Sequence, residues 1–305
     1  MARLAVVIVS WNVRGLLTAC LRSLLADVER SDLDAQVYVV DNDSSDGTPA
    51  MVSDEFPRVR LIASDENLGF AAGNNLAWRE IQDSAPPLPR YVWLLNPDTE
   101  VRPGATTALL SALEAHPRVG VAGAKLLYAD GSLQHSAFHF PGLMQLLFEL
   151  FPLPPRLYET PLNGRYPRRL YEGTSPFLVD HPLGAAMLVR AEAIAQVGVM
   201  DEGYRMYCEE IDWCWRMRRS DWRALCVPDA RVVHHAGQST GQVPIPSLVN
   251  LWASRARLYA RYHGPLTRRL ARVLVRTGMR RRMRGASPEV TAACLKIIRM
   301  WGDVR

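Results

Sequence analysis

The stretch YVWLLNPDTEV, residues 91–101, decides how this chain is read. Residues 91–95 are a short apolar run rich in β-formers, which predicts a buried strand. The run stops at Asn96-Pro97-Asp98, so a carboxylate sits on a proline-stiffened turn just beyond a core strand. Turn chemistry alone accounts for an isolated Asn-Pro-Asp, because all three residue types favour turns. A functional reading has to come from the sequence around it.

Further apolar runs at 4–9, 36–40, 59–62, 119–127 and 185–189 predict strands, and residues 16–25 and 106–115 have helical spacing. Such alternation predicts an α/β fold with a mostly parallel central sheet and helices on both faces. Ligands bind such sheets at the carboxyl ends of the strands. Asp41 ends the second predicted strand and Asp98 follows the fourth, so both face that edge. Residues 141–182 hold eight of the 21 prolines, which predicts a long irregular connection, with the apolar patch at 143–153 read as core ahead of a greasy docking surface. From Pro246 onward the spacing of Leu248, Leu251, Trp252, Leu258 and Tyr259 becomes helical, and it resumes after Gly264-Pro265.

At 48% hydrophobic and 22% charged residues, the 305-residue chain has globular composition, not that of a disordered one. No apolar run approaches the roughly 20 residues of a membrane span. Residues 4–9 are too short for the apolar core of a signal peptide. The five cysteines are odd in number and form no CxxC pair, which predicts a reduced, cytoplasmic protein. Charge is segregated. Residues 246–305 carry 14 basic and two acidic side chains, net +12, leaving 22 basic and 29 acidic residues, net −7, in the rest. An acidic body with a basic tail argues against a nucleic-acid binder and for an enzyme resting on an anionic surface. The tail has two readings: interfacial helices on an anionic membrane at the inner face of the cell membrane, or helices packed on the catalytic domain with solvated arginines.

Four more stretches carry chemistry. VVDNDSSDGT (39–48) is a strand end with a polar turn, and NLGFAAGNN (67–75) has Gly69 and Gly73 for close backbone approach, without the spacing of a dinucleotide or P-loop motif. YCEEIDWCWR (207–216), if helical, pairs Asp212 with Arg216 and places Glu209 and Glu210 in the first turn. Capping charges explain Asp212 well but not two adjacent glutamates among aromatic residues. VVHHAGQST (232–240) ends an apolar run in tandem histidines, candidate metal ligands near a carboxylate.

In order along the chain, VVIVSWN, VDNDSSDGT, NLGFAAGNN, LLNPDT, LGAAMLVR, EEIDWCWR and HHAGQST resemble the family 2 glycosyltransferases of the GT-A fold, in their rhamnosyltransferase-like branch. The resemblance runs from Ala5 to about Thr240. It implies a catalytic domain at 1–240, divided into a nucleotide-sugar half (1–125) and an acceptor and base half (126–240), with a basic helical extension at 241–305. Ser10, Trp11 and Asn12 then line the nucleotide pocket, Asp41 pairs with the base edge, and Asn67, Gly73 and Asn74 lie near the sugar and ribose. Asn96 and Asp98 occupy the place of the DxD motif, Asn96 replacing its first Asp. Asp98 and His234 are the implied ligands of a divalent metal, Mg²⁺ or Mn²⁺, with His235 a structural neighbour. Glu210 is the implied general base beside Glu209, where many relatives have Glu-Asp; Gly184, Asp212 and Trp213 fall on the acceptor side. The implied activity is inverting transfer, of L-rhamnose from dTDP-L-rhamnose, to a lipid-linked or cell-surface polysaccharide acceptor. Two rivals remain at this point. A sugar-phosphate nucleotidylyltransferase would want a Gly-rich, basic loop where this chain has Ser10-Trp11-Asn12, and a non-catalytic membrane-bound scaffold would not need Asp98, Glu210 and His234.

Overall fold

A computed structural model describes residues 4–84, 87–238 and 240–303. The chain runs β1 (Leu4–Ser10), α1 (Arg14–Arg30), β2 (Ala35–Asn42), α2 (Thr48–Glu55), β3 (Arg60–Ser64), α3 (Phe70–Ser84), β4 (Tyr91–Leu95), β5 (Thr99–Val101), α4 (Ala105–Ala115) and β6 (Val119–Leu127). Short strands β7 (Leu133–Gln134) and β8 (Ala137–Phe138) follow, then α5 (Leu143–Leu150), α6 (Arg169–Glu172), β9 (Phe177–Val179), β10 (His181–Pro182), β11 (Ala186–Arg190) and α7 (Ala191–Val197). The last elements are α8 (Glu209–Arg219), β12 (Arg223–His234), α9 (Pro244–Tyr262), α10 (Pro265–Arg282) and α11 (Pro288–Gly302).

The main sheet has the order β3-β2-β1-β4-β11-β6-β12-β5. Strands β3, β2, β1 and β4 are mutually parallel, as are β6 and β12, while β11 runs antiparallel between β4 and β6. Two antiparallel pairings in succession bring β4 and β6 into the same direction, so β1, β2, β4, β6 and β12 all point their carboxyl ends to one edge. Alternate residues of β1 go to opposite faces: Leu4, Val6 and Ile8 pack with α1, α2 and α4, whereas Ala5 and Val7 pack with α3, α7 and α8. Both faces are therefore apolar, and the strand reads as a continuous hydrophobic run.

Two expectations need correction. The third strand begins one residue later than spacing implied, at Arg60. The connection at 141–182 is not uniformly irregular, because it contains α5, α6 and short strands. Helix α5 also accounts for the apolar patch: Leu146 is buried with Trp252, Tyr259, Val275, Ile297 and Trp301 of the last three helices, and Leu143 and Leu150 pack against them. All five cysteines are unpaired and buried.

Candidate active site

The carboxyl edge of the sheet carries a cleft lined by residues from four strand ends and from the α8 entrance. Strand register sets one of its walls. Ser10 is opposite Asp41 at the ends of β1 and β2. Beyond them, Asn42 gives its amide N–H to the Gly69 carbonyl at 3.1 Å. Three buried oxygens here, Ser10 Oγ, Asp41 Oδ1 and Asn42 Oδ1, have no protein partner. Buried polar atoms are rarely left so.

The Asn-Pro-Asp turn is fixed from both sides. The Asn96 N–H donates to the Ala185 carbonyl (2.8 Å), and Thr99 Oγ1 donates to the Asn96 carbonyl (2.7 Å). Thr99 pairs with His234 in the β5–β12 ladder, so Asp98 lies beside that histidine. Asp98 Oδ1 and His234 Nε2 are 3.4 Å apart, both side chains almost wholly buried. His234 Nδ1 lies 3.0 Å from Gln134 Oε1. In the tautomer that donates to that oxygen, the ring proton is on Nδ1 and the Nε2 lone pair is turned to Asp98, the arrangement a shared cation would require. His235 instead braces the turn, its N–H donating to the Asp98 carbonyl (2.9 Å) and its ring reaching Glu100 (2.8 Å).

Glu209 and Glu210 open α8 on the opposite wall, both buried. Burial pushes the Glu210 carboxyl up to about 7. Burial and the neighbouring Glu210 charge raise Glu209 well above the usual carboxylate range. Gly184 faces this pair: a Cβ there would stand 3.6 Å from the Glu210 side chain. Gly69 joins the two walls. Its φ is +83°, and an added Cβ would lie 2.2 Å from the Arg205 carbonyl, so only glycine permits this approach.

The cleft thus brings together Ser10, Trp11, Asn67, Asn96, Asp98, Gly184, Glu209, Glu210 and His234 from the sequence expectation. Others lie elsewhere. Asn12 braces the second motif, its N–H donating to Ser44 Oγ (2.9 Å) and its Oδ1 accepting from the Ser45 N–H (2.8 Å). Asp41 is buried just behind the lining, accepting from the Ser44 N–H. Gly73 does not line the cleft and lets α3 approach Val9 closely. Asn74 turns back to donate to the Phe70 carbonyl (2.9 Å), away from the cleft. Asp212 and Trp213 are not on an acceptor surface: Asp212 is wholly buried, and Trp213 is buried with its Nε1 donating to the Gly198 carbonyl (2.8 Å). Spacing alone missed Phe70, Met206, Tyr207 and Gln238, which also line the cleft. Ser239 of the last motif lies outside the described residues.

Comparison with known proteins agrees with this geometry. The family model for Glycosyl transferase family 2 matches residues 5–193. The N-acetylglucosaminyl-diphospho-decaprenol L-rhamnosyltransferase of Mycobacterium tuberculosis is 34% identical over 253 residues, 80% of each chain. The rhamnosyltransferase WbbL of Escherichia coli is 28% identical over 171 residues, 55% of this chain and 61% of that one. Among solved structures, the mannosyltransferase PcManGT from Pyrobaculum calidifontis, in complex with GDP-Man and Mn²⁺, superimposes with a TM-score of 0.55 at 15% identity, over 99% of this chain and 73% of that one. GalNAc-T7 with UDP, GalNAc and Mn²⁺ gives 0.56 at 17% identity, over 76% and 42%. These last two share the GT-A fold, and the chain itself belongs to glycosyltransferase family 2 and is a glycosyltransferase enzyme.

Proposed function

We propose that the enzyme transfers L-rhamnose from dTDP-L-rhamnose to a lipid-linked acceptor in cell-wall or surface-polysaccharide synthesis. The observation that carries this reading is the 34% identity to a decaprenol-linked rhamnosyltransferase across 80% of both chains. The division into a catalytic domain at 1–240 and an extension at 241–305 is part of the proposal.

The donor would lie along the β1, β2 and β4 ends, its base and ribose satisfying the orphan oxygens of Ser10, Asp41 and Asn42. Asp98 and His234 fit a divalent cation. Small octahedral ions hold oxygen ligands at about 2.1 Å, which sets neighbouring ligand atoms about 3 Å apart. The 3.4 Å separation is close to that edge. No group of three or more His, Cys, Asp or Glu among the described residues forms a closed metal site. Diphosphate and water oxygens would therefore complete the shell, as is usual for Mg²⁺. When bound, the ion supplies charge neutralisation for the departing diphosphate. Glu210, with its proton affinity near neutrality, takes the acceptor hydroxyl proton as the acceptor oxygen attacks the anomeric carbon. The sugar–phosphate bond breaks on the opposite side, which inverts the anomeric centre. Pro97 and the Ala185 contact keep Asp98 from following substrate motion.

The extension supports peripheral contact with an anionic membrane. Most of its apolar surface packs internally, yet Leu266, Leu270 and Val273 of α10 are 72%, 45% and 53% exposed. At i, i+4 and i+7 they share one face. Arg269, Arg276 and Arg280 are exposed around it and make no ion pair among the described residues. No helix among those residues is long and apolar enough to cross a membrane.

A panel of nucleotide-sugars assayed by thermal shift, with and without Mn²⁺, tests the donor. Metal-dependent stabilisation by dTDP-L-rhamnose above the UDP- and GDP-sugars supports the reading. Preference for another donor overturns the rhamnose assignment.

A further inference from the structure

The reading of Glu210 as base leaves a buried carboxylate unused. Asp212 stands two residues further along α8, is wholly buried and does not line the cleft. Its Oδ2 accepts from Arg216 Nε at 2.8 Å. Its Oδ1 accepts from the Tyr262 hydroxyl at 2.8 Å and the Tyr204 hydroxyl at 3.3 Å, with Arg261 Nη1 at 3.0 Å. Arg261 and Tyr262 belong to α9, in the C-terminal extension.

The same helix grips the segment that leads into Glu209. Tyr207 and Cys208 both have positive φ, 70° and 68°, although neither is glycine or asparagine. Such conformations cost about 1–3 kcal/mol each and persist only where surrounding contacts impose them. Helix α9 imposes them. Ser254 Oγ donates to the Met206 carbonyl at 2.7 Å, and Leu258 is buried against Tyr204 and Cys208. Arg257 donates to both Asp201 oxygens at 2.9 and 3.1 Å, and Arg261 to Asp201 Oδ2 at 2.8 Å. Residues 201–212 are therefore held at both ends by one helix, and Met206, Tyr207, Glu209 and Glu210 between those ends form the cleft wall.

We propose that Arg261 and Tyr262 are positioning residues for transfer, acting through Asp212 and the strained segment to aim Glu210 at the acceptor. The inference rests on Glu210 being the base. Misplacement of a catalytic group by 1 Å can cost about 100-fold in rate, so a loosened α8 entrance should slow chemistry and spare the donor wall.

The test uses the full chain. Tyr262→Phe keeps the ring that stacks on Trp215 at 4.2 Å and removes only the hydroxyl. Arg261→Gln removes the charge, and Arg261→Lys keeps it. The Tyr262→Phe/Arg261→Gln variant should lose about 10- to 100-fold in kcat, with KM and Kd for the donor within about twofold of wild type. Tyr262→Phe/Arg261→Lys should recover a large part of that loss. A lowered melting temperature with unchanged kcat per folded molecule would mean a structural role only and overturn the proposal, as would a matching loss of donor affinity. If the double variant does not fold, Tyr262→Phe alone must show the same split at smaller size, and its absence there overturns the proposal too. Glu210→Gln measured in parallel separates the two readings. An active Glu210→Gln overturns the base and this inference together; an inactive one beside a full-rate double variant overturns this inference alone.

Discussion

On the donor wall, Ser10, Asp41 and Asp98 stand at or just beyond the ends of strands whose register with their neighbours places them. Across the cleft, Glu209 and Glu210 are placed by a strained pair of residues, a buried carboxylate and a helix some fifty positions downstream, as the Tyr262–Asp212 bond shows. The first wall inherits its precision from backbone ladders, which tolerate side-chain changes. The second depends on side-chain contacts, each of which can be removed singly. Perturbations of the two walls should therefore differ in kind: loss of binding on one, and loss of rate or stability on the other.

The largest effect expected on the donor wall is from Asp98→Ala. Metal charge stabilisation is worth several kcal/mol, so metal-dependent donor affinity should fall by more than about 100-fold while the melting temperature stays near wild type. Calorimetry with and without Mn²⁺ measures this, and unchanged metal-dependent affinity would break the comparison at its donor side. His234→Ala should weaken metal-dependent binding more than His235→Ala, since His234 turns its Nε2 to Asp98 and the His235 ring reaches Glu100. The reverse order would move the ligand to the wrong histidine.

Asp212→Asn should act on stability. It leaves the partly exposed Arg216 and Arg261 facing a neutral amide, and a hydrogen bond to a charged group is worth about 1.5–3 kcal/mol. Urea unfolding should show that loss with donor affinity intact. Stability equal to wild type would mean that the network does not hold α8.

The pH dependence follows from Glu210. Its folded value, about 7, lies above the ordinary 4.5, so deprotonation is resisted in the folded state. Transfer should rise with pH to a plateau, with half-maximal rate near 7, and fall about tenfold per unit below it. For stability the sign is opposite. The native state binds the proton more tightly than the unfolded chain, so this carboxyl favours folding at low pH and its contribution declines from about pH 4.5 to 7. A flat rate profile from pH 6 to 8 would contradict the assignment.

The smallest effect concerns the α10 face. Each arginine near an anionic surface contributes about 1 kcal/mol, so co-sedimentation with anionic vesicles should decline with salt and with neutral lipid. Leu266→Asp should weaken it further without altering transfer to a soluble acceptor analogue. Salt-independent binding, or none, would favour the packing reading of the α10 face.

The donor wall was legible in the sequence because its residues are local punctuation: an apolar run followed by Ser-Trp-Asn, Asp-Asn-Asp or Asn-Pro-Asp can end only at the strand edge. Asn74 and Gly73 lie off the cleft because helix α3 turns them toward the sheet, which their sequence context does not reveal. Asp212 and Trp213 share a motif with Glu209 and Glu210 but point to other sides of α8, a distinction that helical spacing cannot make before the neighbours are known. Tyr207 and Cys208 carry no left-handed signal, since that conformation is imposed by α9 and not by their own preference. The tail was open between membrane and packing. Its buried tryptophans pack, and a single face of α10 remains outside.

The most direct test of the division between the walls is Glu210→Gln, with transfer rate and donor Kd measured on one preparation. A general base contributes about 10²–10⁴-fold, equivalent to about 3–5 kcal/mol at 1.36 kcal/mol per tenfold. Transfer should fall by that factor while donor affinity stays at wild type, and Glu209→Gln should be milder. Full transfer by Glu210→Gln, or an inactive Glu209→Gln beside it, would contradict the account.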